Sequence, residues 1–244
     1  MNLNYDLDYI NGGSAKEFTA HGEDWFCERL GTTMPTTIFD VGANVGEWTK
    51  LARRHCPSAD IHSFEVINST FHKFYHNVKY DNKIYPNNFG LSNVEEITTF
   101  KFIEHNDRIS TGLTLLRFDD SRPVTGMLRT GDSYVVEHNI DYIDLLKIDA
   151  EGMGNRVLKG LANTLAANKI GAIQFEYDRA CILERFILID HYEMLCPFGF
   201  QLGRLCPGRV EFKDYSLYDE NFDGPEYVAV HTTNKKLLSA LSPI

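Results

Sequence analysis

The chain has 244 residues, 43% hydrophobic and 24% charged, which suits one ordinary globular domain and excludes collagen, a disordered chain or a disulfide scaffold. A formal net charge of -10 without any long Lys/Arg cluster argues against nucleic acid as a partner. The five cysteines, at 27, 56, 181, 196 and 206, contain no Cys-x-x-Cys pair, so they support neither a disulfide framework nor a zinc site and point to a reducing cytoplasm.

Met1 to Ile10 is polar and acidic, unlike a secretory signal, and no apolar run approaches the ~20 residues that span a bilayer. Neither targeting nor a membrane is therefore expected. Ser14-Ala15-Lys16-Glu17 has the spacing of a capping box and predicts a helix from about Ala15 to Leu30. Thr36 to Val41 is short, β-branched and apolar, and it runs through a glycine turn into a predicted helix from Val45 to His55. Arg53, Arg54 and His55 fall at that helix end, where the dipole favours cations, so we read them as structural. Asp60 to Glu65 is a second strand, Ser69 to Tyr80 a helix and Ile84 to Leu91 a third strand; such alternation implies a parallel sheet with right-handed crossovers.

Between Ile97 and Phe118 an inserted strand or hairpin is expected. Asp132 to Asn139 predicts a short helix, and Tyr142 to Asp149 has the nearly continuous apolar character of a strand buried on both faces. Val157 to Ala167 is a predicted helix, Ala172 to Tyr177 a strand and Ile182 to Leu195 a helix. Gly199 to Leu205 and Glu226 to His231 supply two last strands around a Tyr- and Asp-rich loop.

The chemistry concentrates at strand ends. In Asp40-Val41-Gly42-Ala43-Asn44-Val45-Gly46 the glycines let the backbone turn and approach a ligand, while the following helix aims free N–H groups at it. A tight turn alone would also use glycine, so the partner residue matters. Nineteen residues after Gly46, Glu65 ends the second strand, where a carboxylate can accept hydrogen bonds from both hydroxyls of a ribose. The third glycine of a dinucleotide fingerprint is missing, and Asp40 before the first glycine suits a cationic ligand such as S-adenosylmethionine rather than a pyrophosphate. A nicotinamide-dependent oxidoreductase and a catalytically silent cofactor-binding module are the rival readings. His72 and His76 have metal-ligand spacing without the flanking acid of a zinc protease, so they read as one helix face, and no Gly-x-Ser-x-Gly elbow supports a hydrolase.

Phe39-Asp40-Val41-Gly42-Ala43-Asn44-Val45-Gly46 and Ile143-Asp144-Leu145-Leu146-Lys147-Ile148-Asp149-Ala150-Glu151-Gly152, followed by Val157-Leu158-Lys159-Gly160, resemble the FkbM-type methyltransferases. Asp132-Ser133-Tyr134 and Phe175-Glu176-Tyr177 extend the likeness over about residues 36 to 180. The family is named for a macrolide-tailoring enzyme and includes many enzymes of glycan decoration. One departure is visible: the family usually has an acidic residue where this chain has Gly154. The resemblance implies an α/β Rossmann-like class I methyltransferase, with a seven-stranded, mostly parallel sheet, an antiparallel last strand and helices on both faces.

The resulting expectation is one domain over 1–244: a helical extension 1–35, a cofactor-binding core 36–177, and a C-terminal part 178–244 that completes the sheet. S-adenosylmethionine is the expected cofactor, with Asp40, Gly42, Asn44, Gly46, Glu65, Val66 and Leu91 as its candidate contacts. Asp149, at the carboxyl end of a central strand, Glu151 and Glu176 are the candidate catalytic residues. Asp149 and Glu151 serve equally to cap the helix expected to start at Gly152, with Lys147 as counter-ion to one of them. Glu176 with Asp178 is a candidate hydroxyl-binding pair; a divalent metal there is the alternative and is not predicted. The expected acceptor is a hydroxyl of a sugar or glycan, or else of a small macrolide-like metabolite; oligomeric state is left open.

Overall fold

The computed structural model describes residues 15–103, 110–111 and 121–242. The strands are β1 (Thr37–Val41), β2 (Asp60–Phe64), β3 (Ile84–Asn87), β4 (Gly90–Ser92), β5 (Glu96–Ile103), β6 (Ser110–Thr111), β7 (Ser121–Thr130), β8 (Leu145–Ile148), β9 (Ala172–Asp178), β10 (Phe200–Cys206), β11 (Arg209–Phe212) and β12 (Asp223–His231). Eight of them form the main sheet in the order β11-β10-β12-β9-β8-β1-β2-β3. β1, β2, β3, β8 and β9 are parallel, and β12 runs antiparallel to both β9 and β10. The seven expected strands are thus present as an α/β class I methyltransferase sheet, and β11 adds an eighth at the edge.

Side-chain alternation divides this sheet into two buried faces. Phe39, Val41, Leu146, Ile148, Ile173, Phe175 and Tyr227 pack on one side with the helices Gly131–Glu137, Gly154–Gly160 and Leu188–Leu195. Ile38, Leu145, Ala172, Val228 and Val230 pack on the other with Glu23–Gly31, Glu47–His55, Asn68–Val78 and Lys235–Leu241. Both faces are covered by helices, which is why the central strands read as unbroken apolar runs.

Several boundaries differ from the sequence reading. The N-terminal helix divides into Ala15–His21 and Glu23–Gly31 at Gly22, whose left-handed backbone (φ 88°) stops the first segment; the Ser14 cap lies outside the described residues. The helix expected over Ile182 to Leu195 divides likewise at the left-handed Arg185. The third strand stops at Asn87, and Gly90–Ser92 leaves for a second sheet of order β4-β7-β5-β6.

That second sheet contains the expected insertion, part of which lies outside the described residues, and also β7, which the sequence reading missed. Pro123 and Gly126 interrupt the alternation that marks a strand. Pro123 is accommodated because β4 pairs only with Leu128 to Thr130, so among the described strands Pro123 has a neighbour on one side alone. Phe100, Phe102 and Leu128 on its inner face pack against Ile67, Met153 and Ala180. These three follow β2, β8 and β9, so the second sheet roofs the carboxyl edge of the main one.

Candidate functional site

The turn after β1 is left-handed at Gly42 (φ 83°), Asn44 (φ 49°) and Gly46 (φ 88°). A Cβ on Gly42 would lie 1.7 Å from the Asp149 carbonyl oxygen, so the close approach that requires glycine is to the chain's own backbone. Of the two readings of this glycine, the fold itself therefore supplies a sufficient reason for it. The same contact sets the glycine turn directly against the end of β8, because the Asp149 amide donates to Val41 O at 2.9 Å.

Glu65 lies just beyond β2 and is buried, and it holds the turn in place. Its Oε2 accepts from the Asn44 amide at 3.0 Å and its Oε1 from the Ile67 amide at 2.8 Å. Burial pushes its carboxyl up to about 7, against the lowering effect of those two amides. Each oxygen retains acceptor capacity beyond the one bond it makes. Val66 is half-buried beneath the roof, where a Cβ on Gly126 would meet its Cγ2 at 2.4 Å. Leu91 is buried in the core and belongs to β4, not to the end of the third strand.

Asp40 has no exposed surface; its Oδ2 accepts from Thr49 Oγ1 at 2.5 Å, while its Oδ1 has no hydrogen-bond partner among the described residues. Burial raises its carboxyl above the usual aspartate range. In register with Asp40 stands Lys147 on β8, and in register with Lys147 stands Gln174 on β9. Lys147 is buried, with Nζ 2.9 Å from Asp149 Oδ2 and over the Trp48 ring. Burial by itself works against the ammonium, yet Asp149, Asp40, Glu23 and Glu226 around it together raise Lys147 above the ordinary lysine range. Gln174 Nε2 donates to Glu23 Oε1 at 2.8 Å and to Glu226 Oε2 at 3.0 Å. Burial, then their mutual repulsion, lifts Glu23 to about 8, and burial lifts Glu226 to about 7.

Sequence reasoning missed Glu23, Gln174 and Glu226. The available signal was Gln174, a polar residue inside the buried run Ala172–Asp178.

The remaining candidates converge at the ends of β8 and β9. Glu151 is left-handed (φ 49°) and half-buried, and Glu176 is half-buried on β9. Burial and then Asp149 and Asp178 raise both carboxyls well above the usual range. Asp178 is raised by burial too, while its Oδ1 accepts from the Ala180 amide at 2.9 Å. Gly152 (φ 86°) follows, where a Cβ would lie 2.7 Å from that of Ala180. Glu151 and Glu176 also wall a small cavity beside Asn155 and His191, two residues that no local pattern in the chain singles out.

Elsewhere, the acidic and aromatic loop after β11 is engaged within the fold. Its Glu220 accepts from the hydroxyls of Tyr177 and Tyr215 and from the amides of Leu188 and Ile189. His72 and His76 are exposed on one helix, and Arg53 pairs with Asp81 at 2.6 Å. Among the described residues, no group of three or more His, Cys, Asp and Glu side chains is arranged to hold a metal ion. No helix among them is long and apolar enough to cross a membrane.

This arrangement fits a nucleoside bearing a cationic amino-acid tail. The amides of Gly42 and Ala43 donate to Phe64 O, that of Asn44 to Glu65 and that of Gly46 to Ala43 O, so the turn presents its close-packed backbone rather than free amides; Glu65 offers spare acceptor capacity, and Asp40 Oδ1 is a buried oxygen without a hydrogen-bond partner among the described residues.

No curated protein sequence matches the chain. Among solved structures, it is similar to methyltransferase FkbM from Methylobacillus flagellatus KT, with 15% identity and a TM-score of 0.50, covering 80% of this chain and 43% of that one. The chain therefore spans less than half the length of that relative, and the likeness speaks for the fold alone. It is also similar to precorrin-6y C5,15-methyltransferase from Geobacter metallireducens GS-15, with 11% identity over 90% of both chains and a TM-score of 0.48. A SAM-dependent methyltransferase from Agrobacterium tumefaciens shows 11% identity over 90% of this chain and 63% of that one, with a TM-score of 0.49. The family model of the methyltransferase FkbM domain matches residues 40–195. That match takes in most of the chain, both the glycine turn and the Lys147–Gly152 stretch included, and the chain accordingly belongs to the FkbM methyltransferase family.

Proposed function

We propose that this chain is an S-adenosylmethionine-dependent O-methyltransferase acting on a hydroxyl of a sugar or glycan. The observation that carries the reading is the contact between Gly42 and the Asp149 carbonyl, which puts the turn suited to the cofactor beside the carboxylate suited to the acceptor. When bound, S-adenosylmethionine supplies a methyl group activated by its sulfonium. Asp40, Gly42, Asn44, Gly46 and Glu65 would hold it, with Val66 and Leu91 flanking. Asp149 would orient the acceptor hydroxyl and take its proton, and Lys147, 2.9 Å away, holds that carboxylate in position. Glu151 and Glu176 would hold neighbouring hydroxyls; carboxyls that exchange between donor and acceptor forms suit a polyhydroxylated acceptor better than an apolar one. The five cysteines are unpaired, which accords with a reducing cytoplasm.

Calorimetry with S-adenosylmethionine and with NAD tests the cofactor assignment, and binding of NAD alone would refute it. Formation of S-adenosylhomocysteine is then followed with a panel of methyl glycosides and of hydroxylated small metabolites. Turnover confined to the metabolites would refute the sugar assignment.

A further inference from the structure

The cavity behind the candidate carboxylates has a volume of about 20 Å³ and is walled by Glu151, Glu176, Gly154, Asn155, Phe186 and His191. That is room for one oxygen-sized group. Asn155 is 6% exposed, and its Oδ1 has no hydrogen-bond partner among the described residues. His191 is 3% exposed, stacked on Phe175 at 4.3 Å and met edge-on by Phe186 at 4.6 Å. Its Nδ1 is 3.0 Å from Ile187 O. A carbonyl only accepts, so Nδ1 carries the proton and Nε2 of the neutral ring is an acceptor. Burial lowers this histidine to about 4, which keeps it neutral near pH 7. Gly154 adds no side chain to the space; a Cβ there would lie 3.3 Å from Ile148 Cγ2.

An orphaned buried amide oxygen on a residue that walls a space of one-oxygen size calls for a donor, and the fixed imidazole disfavours a carbonyl or ether there. We propose that this cavity is a subsite for one hydroxyl of the acceptor, other than the one methylated, and that Asn155 is a specificity-determining residue whose Oδ1 accepts a hydrogen bond from it. The inference rests on the proposed function and goes beyond it by assigning a second recognition point. The hydroxyl would also face Glu151 and Glu176, whose carboxyls are raised well above the usual range by burial and then by Asp149 and Asp178. The cavity thereby couples recognition of a polyol to the carboxylates beside Asp149.

The test uses the full chain with S-adenosylmethionine, methyl glycosides of the common hexoses and their monodeoxy derivatives, with S-adenosylhomocysteine as the readout. For an accepted glycoside, removal of one particular non-methylated hydroxyl should lower kcat/KM at least tenfold. Asn155→Leu, similar in size but without the acceptor, should lose a like factor on the full glycoside and should not distinguish it from that deoxy derivative. Calorimetry with S-adenosylmethionine reports whether the variant is folded. If the unaltered chain accepts a glycoside and all its deoxy derivatives within threefold, the inference fails on that measurement alone. It also fails if Asn155→Leu retains the full deoxy penalty, the cavity then being a place for a structural water. Transfer to no glycoside at all would refute the sugar reading, and this inference with it.

Discussion

Replacing Lys147 by Met removes a buried ammonium and keeps much of the stem volume. In the folded chain that ammonium is 2.9 Å from Asp149 Oδ2 and lies within the influence of Asp40, Glu23 and Glu226. The Asp149 side chain is 37% exposed and can recover water, whereas Asp40, Glu23 and Glu226 are buried and cannot. Removing one member of a buried ion pair typically costs about 3 to 5 kcal/mol. For a chain of this size each kcal/mol lowers Tm by roughly 2 to 4 °C, so Lys147→Met should melt about 10 °C lower. The stranded carboxylates answer by taking up protons, and Glu23 and Glu226 already sit at about 8 and 7 with the lysine in place. Without it they rise further, so the variant should lose more stability at pH 8.5 than at pH 6. Urea denaturation at the two pH values measures both effects. A loss below about 1 kcal/mol, or an equal loss at the two pH values, would refute the view that Lys147 neutralises this cluster.

Three further outcomes are expected. Gly42→Ala places a Cβ where the Asp149 carbonyl stands, so it should lower the soluble, folded yield as seen by circular dichroism, whether or not S-adenosylmethionine is added; a normally stable variant would show that the two strand ends can separate. Asp149→Asn keeps the side-chain shape and removes the charge beside Lys147, so turnover should fall roughly 100-fold with cofactor affinity nearly intact, and turnover within a few-fold of the parent would move the proton-accepting role to Glu151 or Glu176. Glu65, Glu226 and Glu23 are raised by burial to about 7, 7 and 8, so their contribution to stability is complete below their ordinary values near 4.5 and is lost as pH rises through 7 and 8. Scanning calorimetry should therefore give a lower Tm at pH 8.5 than at pH 6, with a shallower fall in Glu23→Gln; a Tm that rises over this interval would contradict the assignment.

The sequence by itself determined the succession along the chain of seven of the eight strands of the main sheet and of the helices between them, because a buried parallel strand and an amphipathic helix each leave a periodic trace in a short stretch of chain. It also determined that Asp40, Glu65, Asp149 and Glu176 lie toward one edge, since parallel strands share their carboxyl ends. It did not reveal why Gly42 is glycine, for the atom that excludes a side chain belongs to Asp149, on a neighbouring strand. Nor could it show that β4 leaves the third strand for a roof, because pairing partners are chosen by tertiary packing and not by local propensity. Glu23 and Gln174 are 151 residues apart, and Glu226 is remote from both, yet the fold encloses them with Lys147 in one polar seam. Each of these looks like an ordinary polar residue in its own segment. Their protonation behaviour, and the unpartnered oxygen of Asn155, follow from desolvation by neighbours that only the folded chain brings together.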